Sequence, residues 1–167
     1  SRAFLRTRFN VDKGAVEWRG LNVAAESPAT VDVVFAKTKR MTVKIKARAL
    51  RLQHSAFASE MLEPVALELN LRGRLDPKDE SITFSHGGVN IGRAVGTQRI
   101  YAAVDARIAK DTLQATLRLP STPCQDFVQA MPIQIAGIAQ GVTYSGTISG
   151  DIKITLNANL PPVLAVG

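Results

Sequence analysis

Residues 113–156 read LQATLRLPSTPCQDFVQAMPIQIAGIAQGVTYSGTISGDIKITL, and this stretch decides the fold. Its first apolar residues alternate with polar ones, as expected for a strand that buries one face. A helix start follows, with Thr122 as the predicted cap and Pro123 at the predicted first helical position. A second alternation begins at Val142. The stretch therefore predicts a strand, a helix and another strand.

The predicted helix carries one apolar stripe, because apolar residues recur at steps of three and four. The members of the stripe are Cys124, Phe127, Val128, Met131, Ile135 and Ile138. Pro132 disfavours helical geometry at the residue before it, so the helix is predicted over about 123–131. A further turn or two should end at Gly141, where glycine permits the left-handed conformation.

The second alternation runs without a break from Val142 to Leu156. As a single strand it would be roughly 50 Å long, far above the usual length, which favours a tall and strongly twisted sheet over a small barrel. We expect the helix to cover part of the apolar face of this sheet. The predicted groove and helix-packing residues are Phe127, Val128, Met131, Ile135, Tyr144, Ile148 and Ile152.

The remainder of the chain predicts more strands joined by hairpins. A phase slip at Ala49-Leu50 predicts a β-bulge within the strand that ends at Leu52. Turns are predicted at 12–14, 76–79 and 110–111 from their Asp, Pro, Gly and Lys residues. With about eight to ten strands, we predict a mainly β fold: a long, curved, largely antiparallel sheet with one amphipathic helix packed on its apolar face.

The composition fits one β-rich domain with excess positive charge. A hydrophobic content of 46% supplies a core, and 21 Lys and Arg against 14 Asp and Glu give a net charge of +7. Residues 1–160 are predicted to form the domain and 161–167 a linker-like tail. The chain is predicted to be a piece of a longer protein.

Three cations share the polar face of one predicted strand: Lys44, Lys46 and Arg48. Such a face either is simply solvated or contacts an anionic lipid, a glycan or a membrane surface. Contact with an anionic partner is the functional prediction for these residues. Nucleic acid is not predicted as a partner, because an aromatic content of 5% provides few platforms for stacked bases.

No motif for catalysis or cofactor binding is found in the sequence. His54 and His86 lack metal-ligand spacing, and the single cysteine, Cys124, is interpreted as a small buried hydrophobe. Carboxylates such as Glu63 fall in predicted loops and are interpreted as solvated charges. The glycines between 87 and 96 lack the spacing of a phosphate loop and are interpreted as bulge and turn residues. We therefore predict no catalytic residue, metal or cofactor.

A family resemblance rests on Leu117 to Gln125 (LRLPSTPCQ), Ala130-Met131-Pro132, Gly141, Gly146 and Ile91-Gly92-Arg93. The arrangement resembles the β-rich, AsmA-like periplasmic region that precedes the glycosyltransferase family 51 domain in some large transglycosylases of Gram-negative bacteria. The resemblance covers residues 65–160. It implies a periplasmic, membrane-anchored protein linked to peptidoglycan assembly. The glutamate-aspartate donor motif of the catalytic domain does not occur in this chain, so no catalytic residue is carried over.

The same resemblance implies a second function, because AsmA-like folds are similar to bridge-like lipid carriers whose long sheets curl into an apolar groove. The first expectation is a non-catalytic scaffold or interaction module of a cell-envelope protein. The second is a groove that binds or transfers lipid, and the third is an enzyme of unrecognised class. We expect a mostly filled groove with at most a narrow apolar cleft near the helix.

Overall fold

One open antiparallel sheet makes up most of the computed structural model, which describes residues 3–18, 21–36, 38–53, 61–137, 141–157 and 163–166. Its eleven strands are β1 (Ala3–Val11), β2 (Gly14–Trp18), β3 (Leu21–Ala25), β4 (Ala29–Ala36), β5 (Arg40–Gln53), β6 (Val65–Asp76), β7 (Ser81–Arg93), β8 (Ile100–Ala109), β9 (Thr112–Pro123), β10 (Thr147–Asn157) and β11 (Val163–Val166). Two short helices, α1 (Cys124–Ala130) and α2 (Ile133–Ala136), lie between β9 and β10. The predicted mainly β fold is confirmed.

The strands from β4 to β11 pair in chain order, so most of the sheet is a meander. Residues 77–80 join β6 to β7, and Lys110-Asp111 joins β8 to β9, which confirms the turns predicted at both places. Strands β9 and β10 are neighbours even though both helices lie between them in the chain. The helical segment is therefore an insertion between two strands that pair directly with each other.

The N-terminal strands form a long hairpin that is interrupted on both sides. Strand β1 pairs with β4 as far as Val11 opposite Ala29, and β2 pairs with β3 from Gly14 opposite Ala25. The predicted turn at 12–14 is therefore an interruption and not a reversal between paired strands. The facing segment contains Pro28, which has no N–H to donate to a ladder.

A β-bulge in β5 keeps its apolar residues on one face of the sheet. Ala47 is opposite Leu67 and Leu50 is opposite Val65, so three steps along β5 match two along β6. The extra residue restores the phase that the sequence loses at this point, because a one-residue shift would otherwise turn every later side chain to the other face. The bulge predicted at Ala49-Leu50 is confirmed.

A second bulge lies in β7. Three steps from Phe84 to Gly87 match two steps along β8, and His86 within the bulge has a positive φ of 57°. The backbone N–H of His86 leaves the ladder and donates to a carboxylate oxygen of Asp105 (3.2 Å). Gly87 is buried where an added methyl group would lie 2.5 Å from Cδ2 of Leu71, so the bulge is closely packed.

The helix start differs from the prediction. Strand β9 continues through Pro123, which takes the N-cap position without a side-chain hydrogen bond, and the hydroxyl of Thr122 donates to the carbonyl of Pro120 (2.8 Å). The N–H of Cys124 donates to the carbonyl of Gly146 (3.0 Å), so the pairing with the returning chain reaches the first helical residue. Sheet pairing supplies the partner that the prediction assigned to a side-chain cap.

The last two strands also differ from the prediction. Strand β10 begins at Thr147 and not at Val142, because Gly146 has a φ of +90° and ends the extended conformation there. Gly141 has a φ of +81°, as predicted for a residue in the left-handed region. Within the segment predicted as a linker-like tail, residues 163–166 form β11, which pairs with the outer edge of β10. β11 therefore covers an edge of β10.

We predict that Gly87→Ala lowers the free energy of unfolding by about 1–3 kcal/mol, because the methyl group has no room in the β7 bulge. Chemical denaturation followed by circular dichroism measures the change. Gly137→Ala is the matched control, since Gly137 has a helical φ of −52° and, apart from its chain neighbours and its own helix, no described residue lies within 4 Å of the added methyl group. Equal losses in the two variants would contradict the close packing of the bulge.

Candidate functional site

The register gathers the apolar side chains of the strands on one side of the sheet, which we call the apolar face. One cross-strand row consists of Phe9, Val31, Ile45, Leu69, Val89 and Ala102. A second row consists of Leu75, Ile82, Ile108, Leu113 and Leu156. Because directly opposite residues point to the same side, the apolar face is continuous from β1 to β10.

The apolar face is not fully covered. Side chains at its centre are buried, among them Met41, Phe84 and Val104. Large apolar side chains of this face remain exposed near both margins of the sheet and at one strand end: Leu5, Phe9, Val11, Ile108, Ile148 and Ile152. An exposed group of apolar side chains on a folded protein is typical of a ligand or partner site.

The two helices cover one end of the apolar face. Helix α1 contacts β7, β8, β9 and β10, and it follows the end of β9 directly. The buried residues of the helical segment are the small or compact Ala130, Pro132 and Ala136. At the other end of the sheet, tight hairpin turns leave Ile108 on β8 40% exposed. Helix α1 thus lies over part of the helical end, whereas no described segment covers the hairpin end.

A cleft of about 280 Å³ lies beside the helices. Its apolar lining comes from Val128, Met131, Ile133 and Val142, and Arg93, Gln125 and Gln129 add polar atoms. The predicted residues Phe127, Val128 and Met131 are half-buried, and of these Val128 and Met131 line the cleft. The helix therefore rests on the sheet through its small residues, while two members of the predicted stripe line the cleft.

Three of the predicted groove residues occupy other surroundings than expected. Ile135 is 51% exposed, because Pro132 ends α1 and starts a separate helix whose buried face does not continue the stripe. The prediction that Ile135 packs on the sheet was wrong. Ile148 and Ile152 lie on the apolar face of β10, but they are exposed, so the helices do not cover them as predicted. Ile138, the last member of the predicted stripe, lies outside the described residues.

Tyr144 precedes β10 and is held by the helix. Its backbone N–H donates to the side-chain oxygen of Gln125 (2.9 Å), and its side chain is half-buried. The prediction placed Tyr144 in a strand. The positive φ of Gly146 places it in an irregular segment instead.

Glu63 ties the helical segment to the sheet. Arg93 donates two hydrogen bonds to the carboxylate, from Nε and Nη2 at 3.0 Å each, and the N–H of Ile133 donates a third (3.1 Å). The N–H of Glu63 in turn donates to the side-chain oxygen of Gln134 (2.9 Å). These bonds connect the strand residue Arg93 to the start of α2 through one carboxylate.

The environment of Glu63 favours its charged form. Hydrogen bonding by Arg93 holds the pKa of Glu63 below its ordinary value, and the bond from Ile133 acts in the same direction, whereas burial alone would raise the pKa. The interpretation of Glu63 as a solvated charge was wrong. No local pattern around Glu63 indicated its partners, which lie 30 and 70 residues later in the chain.

The opposite side of the sheet, called the polar face, carries the predicted cations. Lys44, Lys46 and Arg48 are exposed and alternate along β5, as predicted. Lys46 lies 3.8 Å from the carboxylate of Glu68 on β6, an exposed pair. Lys44 and Arg48 form no ion pair with any residue that the structure describes; Asp32, directly opposite Lys44 on β4, pairs with Arg8 instead.

Two further features are absent from the part of the chain that the structure describes. No cluster of three or more His, Cys, Asp or Glu side chains is positioned to hold a metal ion. No helix there is long and apolar enough to cross a membrane. Comparisons with protein-family models, with characterised proteins and with solved structures find no match.

We predict that Glu63→Gln lowers the free energy of unfolding at pH 7 by about 2 kcal/mol, because two charge-assisted hydrogen bonds from Arg93 are weakened in a half-buried site. The pKa of Glu63 is lower in the folded state than in the unfolded state, so its carboxylate stabilises the fold at pH values above the unfolded-state pKa. This stabilisation is lost as the pH falls through the folded-state pKa. The difference between variant and wild type should therefore shrink below about pH 4. Denaturant titrations between about pH 3 and pH 7 measure it.

Glu68→Gln is the control for this prediction, since it removes an exposed carboxylate whose ion pair with Lys46 should contribute no more than about 1 kcal/mol. A loss in Glu63→Gln that matches the control, or one that does not depend on pH, would show that Glu63 does not anchor the helices.

Proposed function

We propose that the chain binds the hydrocarbon part of a lipid-like amphiphile on the apolar face of its open sheet. The observation that carries the proposal is that this face is continuous from β1 to β10 and yet leaves large apolar side chains exposed. Each methylene group that such a surface removes from water contributes roughly 0.8 kcal/mol. Even a short acyl chain would therefore gain substantial binding free energy there.

The two ends of the apolar face differ, and this difference supports a direction for the bound chain. The helices, which Glu63 connects to the sheet, lie over one end. The cleft beside them is lined by Val128, Met131 and Val142, which an apolar tail could contact. The hairpin end has no covering segment among the described residues. We place the tail of the amphiphile beside the helices and its polar head towards the hairpin turns.

A scaffold function is the second proposal. It is favoured by the edge strand β1, which pairs on one side with β4 and exposes Leu5, Phe9 and Val11. An open strand edge with apolar side chains suits the addition of a strand from another protein. On this proposal the apolar face is completed by protein and not by lipid, and the location in the cell envelope remains the one that the family resemblance implies.

We predict that Ile152→Asp weakens the binding of a fluorescent long-chain fatty acid by about tenfold or more, because it places a charge on the apolar face at an exposed position of β10. Thr155→Asp is the matched control, since Thr155 is an exposed residue of the same strand on the polar face. Fluorescence titration gives both affinities, and native mass spectrometry detects the retained acyl chain.

Equal affinities in the two variants would place the fatty acid elsewhere than on the apolar face. A chain that retains no acyl ligand and binds no fatty acid would overturn the lipid proposal and leave the scaffold proposal as the better account of the exposed residues.

A further inference from the structure

A second concave site lies on the polar face, where the β5 bulge meets the segment between β7 and β8. This cavity of about 440 Å³ is called the bulge pocket. Its polar lining consists of Lys46, Arg48, Glu68, Asn90 and Arg99. The volume lies within the range of small-molecule sites, and bulges are often found beside functional sites because they redirect side chains. The proposed binding of an amphiphile on the apolar face does not involve these residues, so the two sites can be tested separately.

Arg99 is held in place before any ligand binds. Its Nη1 donates to three backbone carbonyls, those of Arg93 (3.0 Å), Gly96 (2.8 Å) and Gln98 (2.8 Å). Within the described residues, its Nε and Nη2 have no hydrogen-bond partner, which leaves three N–H groups for a ligand. A guanidinium fixed in this way loses little conformational entropy on binding an anion.

Gly92 permits this arrangement. It is buried beneath residues 94–99, which connect β7 to β8. A methyl group at this position would collide with the carbonyl oxygen of Gln98 and lie 3.1 Å from Cδ of Arg99. The close approach places Arg99 over β7, at the rim of the bulge pocket. A side chain at position 92 would therefore displace Arg99 from the rim of the pocket.

The charges of the bulge pocket are unbalanced. Lys46, Arg48 and Arg99 face a single acidic side chain, Glu68, which already lies 3.8 Å from Lys46. The excess of two positive charges matches a phosphate monoester, which carries about 1.5 to 2 negative charges at pH 7, better than it matches a carboxylate. Arginine also has the geometry for paired hydrogen bonds to phosphate oxygens.

We propose that the bulge pocket binds a phosphate monoester, with Arg48 and Arg99 on the phosphate and Asn90 on the attached polar group. A bare phosphate would leave most of the pocket empty, so the ester should carry a group of about the size of a sugar. The soluble ester and the head group of a lipid share this chemistry.

Isothermal titration at low ionic strength tests the proposal with inorganic phosphate, glycerol 3-phosphate, glucose 6-phosphate and acetate as soluble probes. Arg48→Gln should raise the Kd of glucose 6-phosphate by about tenfold, since it removes a charge-assisted contact. Arg72→Gln is the matched control, because Arg72 is exposed on the polar face of β6, outside the pocket lining and without an ion pair in the described ranges. The control should change the Kd less than about twofold.

Flotation with vesicles of phosphatidic acid or phosphatidylcholine distinguishes the source of the phosphate. Binding to phosphatidic acid that Arg48→Gln weakens and Arg72→Gln does not would support a lipid head group, and soluble-ester binding without flotation would support a free metabolite. Equal losses of binding in Arg48→Gln and Arg72→Gln would indicate that the ligand responds to the overall positive charge of the polar face and not to the pocket. This result would overturn the proposal. The proposal is also overturned if acetate binds as tightly as the phosphate esters, or if neither a soluble ester at millimolar concentration nor phosphatidic acid binds.

Discussion

The structure depends on one constraint: every strand must present its apolar residues to the same side of a single sheet layer. No second sheet is present among the described residues, so a strand out of phase would expose its apolar side chains on the polar face. The bulges in β5 and β7 maintain this phase across the meander. Extra residues in a strand also increase its twist and bend, which makes the same two bulges a cause of the sheet's curvature.

Much of the fold follows from local sequence patterns. The strand alternation, the bulge at Ala49-Leu50 and the turn at Lys110-Asp111 each depend on neighbouring residues, and each was predicted correctly. The candidate site was less predictable because it depends on distant contacts. The partners of Glu63 come from β7 and α2, and no spacing rule connects those segments. Pro132 was identified as an interruption, but its effect on the buried face of the second helix depends on tertiary packing.

The two faces of the sheet differ in the groups that a ligand would contact. They could bind different parts of one molecule or two separate molecules. The apolar face has exposed side chains without hydrogen-bonding groups, which suits hydrocarbon and gives little chemical selectivity. The polar face presents oriented donors such as Arg99, which suit a ligand of defined charge and shape. A protein built in this way would discriminate between ligands through their polar groups and hold them through their apolar ones.

The meander topology also bears on how such a protein changes over evolutionary time. Each strand from β6 to β9 contacts mainly its two sheet neighbours, and the tight turn at Lys110-Asp111 shows how few residues a connection needs. Duplication of one hairpin would widen the sheet by two strands, or roughly 10 Å, and would leave the remaining pairings unchanged. The width of the sheet can therefore vary by small genetic steps, whereas the helical end, with its Glu63 contacts between distant segments, must be inherited as a unit.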